Sequence, residues 1–210
     1  AIICVPLTAR GTKLGALSLY RRGDQRAFTT PERELVERFA DVAAIALHNA
    51  RNLGELETLA TTDDLTGLAN RRRFYDELGR ANAHALRHRT PLALVLLDLD
   101  NFKAINDGNG HCEGDNVLRA VGTAIRARVR AGDLAARVGG DEFAILLPHT
   151  TAARAAMFAD DLIEALRQIN TTPPLDASRG IAAGPALKVE TLMGDADTRL
   201  YEDKRMRRDA

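Results

Sequence analysis

Two acidic segments of the chain carry carboxylates at spacings that could bind a divalent metal and a phosphate. Asp141 and Glu142 directly follow two glycines, and Asp98 and Asp100 stand at the end of the apolar run Leu92 to Leu97. Carboxylates at adjacent strand ends are hard oxygen donors suited to magnesium, with carbonyls, water and a substrate phosphate as its remaining ligands. The alternative for Asp98 and Asp100 is a pair of turn or helix-capping aspartates. For Glu142 it is an outward-facing strand residue.

The residues around these acids predict the elements that position them. Leu134 to Val138 and Phe143 to Leu147 can form a two-stranded hairpin, with Gly139-Gly140 as a turn in which glycine tolerates a positive φ. The earlier run, Leu92 to Leu97, is almost wholly apolar, which predicts a central strand covered by helices. The two aspartates after it would point to one face of the sheet, because residues two apart on a strand share a face.

From residue 63 onward, helical and extended patterns alternate in an order that indicates an α+β fold. We expect helices at Arg72 to His88, Asn116 to Arg130, Ala152 to Gln168 and from Thr191, and strands at Leu92 to Asp98, in the hairpin and at Ser178 to Ala182. An antiparallel sheet with packed helices, of ferredoxin-like or polymerase-palm type, accommodates this order.

The first 62 residues predict a small β-hairpin followed by a long helix. The strands are expected at Ile2 to Leu7 and Leu14 to Tyr20, and Thr30 is the candidate N-cap of a helix that starts at Pro31. Along this helix a seam recurs at alternating spacings of four and three, formed by Leu35, Phe39, Val42, Ala46, Asn49, Leu53, Leu56 and Ala60. Such a heptad seam predicts a parallel helix pair between two subunits, with the asparagine fixing the register. The alternative for residues 31 to 50 is an amphipathic helix packed on the small sheet.

Composition excludes several classes of partner and of site. Lys and Arg together number 29, and Asp and Glu together also number 29, so the formal net charge is zero. We therefore expect no nucleic-acid polymer and no anionic membrane as partner. No apolar run approaches the roughly 20 residues of a membrane-spanning helix, so we expect no membrane contact by this segment. Cys4 and Cys112 are isolated, which argues against a disulfide or zinc site and favours small apolar fillers in a cytoplasmic protein. Because the chain starts with Ala, we expect a piece of a longer protein.

Three blocks of this sequence together resemble the GGDEF family, the diguanylate cyclases of bacteria. They are Asp64-Leu65-Thr66-Gly67-Leu68-Ala69-Asn70-Arg71, then Asp98-Leu99-Asp100-Asn101-Phe102-Lys103, and finally Gly139-Gly140-Asp141-Glu142-Phe143. The segment from Val5 to Leu17, with Phe28-Thr29 and the helix ending at Ala50, is similar to the C-terminal half of a GAF sensor domain. These resemblances imply a partial GAF-like domain at 1–50, a coiled-coil-like linker helix at 51–62 and a GGDEF domain at 63–210.

The resemblance to the GGDEF family implies the roles of the acidic residues. Asp98 and the Leu99 carbonyl would bind magnesium, with manganese as the alternative, and Glu142 would be an auxiliary ligand. Asp141 would bind metal and accept the proton of the attacking ribose 3′-hydroxyl, since a carboxylate held against a divalent ion can deprotonate a hydroxyl. Lys103 would contact phosphate and stabilise the transition state.

The same resemblance implies contacts to the nucleotide and to the product. Guanine would be bound by Asn106 and Asp115, with His111 at the nucleotide; the carboxylate can accept the two N–H groups on the pairing edge of guanine. Lys204 and Arg208 would hold the triphosphate. An inhibitory cyclic di-GMP site is implied at Arg130 and Asp133, five residues before the glycines.

Four positions depart from the family pattern. Asp203 stands where a small apolar residue is usual, Arg207 replaces glycine, Asp209 replaces asparagine and Arg179 replaces an apolar strand residue. The first three adjoin Lys204 and Arg208, so they bear on triphosphate binding.

The function implied is that of a homodimeric diguanylate cyclase, a signalling output domain that condenses two GTP into cyclic di-GMP and releases two pyrophosphates. One alternative is a catalytically silent module of the same fold that binds GTP or cyclic di-GMP. A more distant one is an interaction module whose long helix is the functional part.

Overall fold

A computed structural model describes the backbone of residues 1–22, 26–185 and 188–208, and their side chains except those of 51–60, 185 and 208. The chain divides into two compact units, Ala1–Thr58 and Leu59–Ala210. None of the described helices is long and apolar enough to cross a membrane.

The first unit consists of a hairpin and a long helix. Strands β1 (Ile2–Ala9) and β2 (Thr12–Tyr20) pair antiparallel, and helix α1 covers Thr30–Thr61. The helix starts one residue earlier than predicted, because the amide and hydroxyl of Thr29 both donate to the Glu32 carboxylate, 2.7 and 2.9 Å away. Thr29 rather than Thr30 is therefore the cap, and the carboxylate of the acid three residues later accepts its backbone amide, as in one half of a capping box.

Two different faces of α1 explain why two patterns compete in its sequence. Val36 and Ala40 are buried against Val5 of the hairpin, as the amphipathic alternative requires. The seam residues Leu35, Phe39 and Val42 lie on another side of the helix and are 55%, 63% and 67% exposed. The exposed face is compatible with a partner helix, and that pairing stays a prediction. Leu53, Leu56 and Ala60 fall among the side chains that are not described.

The second unit has the predicted α+β fold. Its elements are β3 (Ala69–Asn70), α2 (Arg71–His88), β4 (Pro91–Asp100), α3 (Phe102–Asn109), α4 (His111–Arg126), β5 (Leu134–Arg137), β6 (Glu142–Pro148), α5 (Ala152–Arg167), β7 (Asp176–Pro185) and α6 (Val189–Arg208). The sheet order is β3-β5-β6-β4-β7, and every pairing except that of the two-residue β3 is antiparallel. From β4 to β7 this is the β-α-β-β-α-β arrangement of ferredoxin-like folds.

Strand β4 is central, as its apolar run predicts. Val95 and Leu97 pack with Val121 of α4 and Leu162 of α5, and Leu94 packs on the opposite side against α2 and α6. Successive residues of β4 thus fill the cores on both faces of the sheet, and the acids follow where this buried run ends.

The segment after β4 differs from the prediction. A single helix was expected from Asn116 to Arg130, but α3 and α4 fill 102–126 and are separated at Gly110, where φ is +85°. Gly108, Gly110 and Gly114 lower the helix propensity of this stretch, yet burial of apolar residues such as Ile105 stabilises both helices. The filler interpretation of the cysteines is also wrong, because Cys4 and Cys112 are both exposed.

Close packing of α6 on β7 depends on Gly180. A Cβ at this position would lie 1.9 Å from the carbonyl oxygen of Ala196 and 2.6 Å from the amide nitrogen of Leu200. We therefore expect Gly180→Ala to destabilise the second unit by about 3 kcal/mol, since backbone atoms cannot move aside cheaply. Urea denaturation measures this, with Gly194→Ala as the control: that helical Cβ would meet nothing within 4 Å, and alanine should stabilise by about 1 kcal/mol. Equal effects of the two substitutions would contradict the packing argument.

Candidate active site

An open cavity of about 590 Å³ lies where β4 ends, β6 begins and α6 passes over the sheet. Five of the predicted site residues line it: Asp98, Leu99, Lys103, Asp141 and Lys204. Asp100, Asn101, Phe102, Asp176 and Arg207 complete the lining. The cavity thus combines carboxylates and cations, the mixture that a metal-bound phosphate requires.

Backbone pairing between β4 and β6 brings Asp98 and Asp141 to the same end of the sheet. Asp98 is directly opposite Glu142 in the register, and the amide of Leu99 donates to the carbonyl oxygen of Asp141 over 3.1 Å. Asp98 is 9% exposed, and its Oδ2 atom lies 2.6 Å from Nζ of Lys204. The lysine thus places a cation against this buried carboxylate.

The oxygen donors at this end of the sheet suit magnesium or manganese. The described residues contain no group of three or more His, Cys, Asp or Glu side chains that could hold a metal. Magnesium is commonly held by only one or two carboxylates together with substrate phosphates. Asp98, the Leu99 carbonyl and Asp141 offer hard oxygens of this kind, so the residues present fit such an ion.

Asp100 and Asp176 add a second pair of carboxylates to the cavity wall. Burial raises the pKa of Asp100 above its ordinary value, although the Ser178 hydroxyl, 2.9 Å away, and Arg207 act in the opposite direction. The pKa of Asp176 is lowered: burial raises it, but the bonds from Arg167 and the Ala177 amide and the charge of Arg207 outweigh that effect. Asp98 and Asp100, the two acids of the D-x-D pattern, both line the cavity. Their partners differ, because Asp98 pairs with Lys204 and Asp100 accepts a bond from Ser178.

The predicted guanine-binding residues lie on α3 and α4 and do not line this cavity. The side chain of Asn106 packs over Gly114, where a Cβ would lie only 1.9 Å from Oδ1. Asp115 follows this glycine directly, and Asp115 and His111 are exposed. The glycine therefore allows the amide of Asn106 to lie close to the start of α4.

Comparison with known proteins places this geometry in a family. The family model "Diguanylate cyclase, GGDEF domain" matches residues 60–210, and the GAF domain model matches residues 1–47. The chain belongs to the GGDEF family. Its GGDEF domain is preceded by a GAF-like part, and GGDEF diguanylate cyclases are generally metal-dependent.

Individual relatives support the assignment. Diguanylate cyclase TpbB of Pseudomonas aeruginosa PAO1 is 41% identical over 154 residues, covering 70% of this chain and 35% of that protein. Diguanylate cyclase A of Treponema denticola is 32% identical over 214 residues, covering 95% of this chain and 56% of that protein. The chain therefore spans only part of these relatives. A crystal structure of the coiled coil and GGDEF domain of DgcB from Caulobacter crescentus, in complex with c-di-GMP, has a TM-score of 0.75 at 35% identity, covering 82% of this chain and 95% of that chain.

The Gly-Gly turn of the GGDEF domain differs from its prediction. Neither Gly139 nor Gly140 has a positive φ. Gly139 instead leaves room for Glu142 in this conformation: a Cβ at 139 would lie 2.4 Å from Oε2, the flexible end of the exposed Glu142 side chain, which folds back over the turn. Glu142 does not line the cavity in this conformation, so its role as an auxiliary metal ligand stays a prediction.

An acid that the sequence argument did not use, Asp63, helps to hold this turn. Its Oδ1 atom accepts bonds from the amide and hydroxyl of Thr66, and Arg137 approaches its carboxylate at 3.4 Å. The same Arg137 guanidinium donates to the Gly140 carbonyl over 2.7 Å. The first sequence block that resembles the family begins at Asp64, but the acceptor for Thr66 is the preceding residue, Asp63. The position of Asp63 three residues before Thr66 was the available signal.

We expect Asp63→Asn to destabilise the GGDEF domain in a pH-dependent way. Burial raises the pKa of Asp63, but the bonds from Thr66 and the charge of Arg137 outweigh it, so the pKa is lowered. A carboxylate with a lowered folded pKa stabilises above its unfolded pKa, near 4, and the contribution is lost as the pH falls through the folded value. At pH 7 the loss should be about 1–3 kcal/mol. Denaturation curves at pH 7 and in the acid range below 4 test this, with exposed Asp64→Asn as control; a difference that persists undiminished in acid would contradict it.

The residues predicted for the product site, Arg130 and Asp133, and the second predicted triphosphate residue, Arg208, are not among the described residues that line the cavity. Arg130 and Asp133 form a local turn between α4 and β5, in which the Arg130 amide donates to Oδ2 of Asp133 over 2.9 Å. This turn does not contribute to the cavity. Arg208 ends α6, but its side chain and all of Asp209 are outside the described residues.

Proposed function

We propose that this chain is the catalytic output part of a diguanylate cyclase, which joins two GTP into cyclic di-GMP and releases two pyrophosphates. The observation that carries the proposal is the convergence of Asp98, Asp141, Lys103 and Lys204 on one cavity of the GGDEF domain. The names of the relatives support the activity, and the c-di-GMP complex of DgcB supports the ligand class.

Each residue then has a distinct task. Asp141 orients the ribose 3′-hydroxyl and accepts its proton, while Lys103 and Lys204 contact the phosphates as compact cations. Asn106 and Asp115 bind guanine, with His111 close to the nucleotide. Asp98, the Leu99 carbonyl and Asp141 hold Mg²⁺ or Mn²⁺, with Glu142 as auxiliary ligand, and when bound the ion offsets charge on the phosphates.

The reaction requires two copies of this site. The oxygen of one ribose 3′-hydroxyl forms a bond to the α-phosphorus of the other GTP, the bond between that phosphorus and the bridging oxygen breaks, and pyrophosphate leaves. Both nucleotides undergo this exchange, so two half-sites must face each other in a two-fold dimer. We propose that the exposed seam of α1 supplies the dimer contact and that 51–62 acts as the linker between the GAF-like part and the GGDEF domain from 63 onward.

Incubation with GTP and Mg²⁺ tests the proposal directly. We expect cyclic di-GMP and pyrophosphate in a 1:2 ratio, resolved by chromatography, and no cyclic product from ATP. Tight GTP binding without product would favour a silent regulatory module of the same fold. Neither binding nor product would favour an interaction module. If the monomer fraction formed cyclic di-GMP at the same rate per chain as the dimer, that result would contradict the two-site mechanism.

We also propose that Arg130 and Asp133 bind the product cyclic di-GMP and that this binding lowers the rate of its synthesis. An arginine fork can pair with phosphate or with the guanine edge, and an aspartate can accept from guanine N–H groups. Both residues lie outside the catalytic cavity, so Arg130→Ala should relieve product inhibition without changing the initial rate. Exposed Arg154→Ala, on α5, is the matched control. Unchanged product affinity in Arg130→Ala would refute the site.

A further inference from the structure

Two of the four departures from the family pattern, Asp203 and Arg207, are joined in one network beside the catalytic cavity. Nε of Arg207 donates to Oδ2 of Asp203 over 3.1 Å, and the same carboxylate oxygen accepts the backbone amide of Arg179 over 2.9 Å. Asp203 and Arg207 are four residues apart on α6, the spacing at which helical side chains meet. Asp203 and Arg207, which looked like separate departures in the sequence, therefore form one structural unit, and Arg179 contributes only its backbone amide.

Carboxylates hold the Arg207 guanidinium at the cavity wall. Its Nη1 atom donates to Oδ2 of Asp176 over 2.8 Å and lies 4.0 Å from Oδ2 of Asp100. These contacts join α6 to the start of β7 and the end of β4, and the side chain of Arg207 remains 29% exposed. A guanidinium fixed in this way loses little freedom when it binds a ligand.

Among the described residues, the network leaves one nitrogen of Arg207 available to a ligand. Among the described residues, carboxylates engage Nε and Nη1, whereas Nη2 has no hydrogen-bond partner. Asp176 also accepts two bonds of 3.1 Å from Arg167, so its charge is shared between two guanidinium groups. Arg207 lines the same cavity as Lys103 and Lys204, which makes three cations on its wall.

We propose that Arg207 is a further substrate-binding residue, which contacts the terminal phosphates of the nucleotide and is held in place by Asp176 and Asp203. The inference rests on the proposed function, since it assigns a ligand to the same cavity. A planar fork that presents several N–H groups suits phosphate oxygens better than a glycine at this position could. The departure thus adds a phosphate contact to this chain.

Binding of two nucleotides that differ in their terminal phosphates tests the proposal. The probes are α,β-methylene GTP, whose bridging carbon blocks cleavage at the reacting bond, and GMP, which lacks the β- and γ-phosphates. In the presence of Mg²⁺, Arg207→Met should weaken α,β-methylene GTP about tenfold, the size of one charge-assisted hydrogen bond, and leave GMP within twofold. Arg207→Lys should fall between wild type and Arg207→Met, because it keeps the charge and loses the fork. Exposed Arg205→Met on the same helix is the control for charge alone.

The outcomes separate this inference from the proposed function. If Arg207→Met lowered the affinity for both nucleotides equally, the network would only position α6, and the proposed phosphate contact would be overturned. So would a loss no larger than that of Arg205→Met. If Arg207→Met does not fold, Arg207→Lys decides, since an unchanged ratio of the two affinities refutes the contact. If the wild-type chain makes cyclic di-GMP but substitution of Arg207 does not change nucleotide affinity, only this inference is refuted. If the wild-type chain binds neither nucleotide, both this inference and the proposed function are refuted.

Discussion

Asp141→Asn should abolish cyclic di-GMP formation while leaving the GGDEF domain folded. Asp141 lies next to the end of β4, lines the cavity and is held there by the bond from the Leu99 amide to its backbone carbonyl. That bond does not involve the side chain, so the substitution leaves the backbone pairing intact. Asparagine keeps the shape of the side chain but removes the proposed proton acceptor and the negative charge proposed to bind a cation. Loss of a positioned general base alone costs roughly 10²–10⁴-fold in rate.

The measurement is the initial rate of product formation at saturating GTP, with the melting temperature recorded in parallel. Asp197→Asn, at an exposed position of α6 outside the cavity, removes the same charge and should retain full activity. A residual rate above one tenth of wild type in Asp141→Asn would show that another group accepts the proton. Loss of activity in Asp197→Asn would show that net charge, rather than the site, is responsible.

Phe39→Glu combined with Val42→Glu should convert the chain to a monomer and remove most of its activity. Both side chains belong to the heptad seam and are more than 60% exposed, although Phe39 also lines an apolar groove with Leu17 and Leu19 of the hairpin. Charged residues at seam positions of a parallel helix pair repel each other across the interface and cannot be desolvated cheaply. Under the proposed mechanism one subunit supplies only one half-site, so loss of the pair should lower the rate by at least about tenfold at concentrations where wild type is dimeric.

Light scattering gives the mass, and the rate as a function of protein concentration gives the functional consequence. Arg38→Glu changes charge at an exposed position of the same helix outside the seam, and should leave mass and rate unchanged. An unaltered mass in the double variant would refute the seam as the dimer contact. A monomer that keeps the wild-type rate per chain would instead refute the requirement for two facing sites.

Particular residues show why some sequence predictions succeeded and others failed. The apolar run before Asp98 predicted a buried central strand correctly, because alternation and burial are local consequences of the residues themselves. Gly139 and Gly140 were assigned a positive φ from a general preference of glycine in turns, but neither residue adopts one. The glycine-rich stretch around Gly110 concealed two helices, because its low propensity is offset by burial of apolar side chains.

The sequence by itself determined the family, the α+β fold class and which acids and lysines are candidates for the cavity, since these depend on residue types at short, fixed spacings. Only the tertiary structure decided which side chains meet. Asp98 and Lys204 are 106 positions apart in numbering yet form an ion pair of 2.6 Å, and Asp176 reaches Arg207 across the gap between β7 and α6. Contacts of this kind depend on strand register and helix packing, which are set by the whole core, so no local pattern could show that Arg207 pairs with Asp176 at the site.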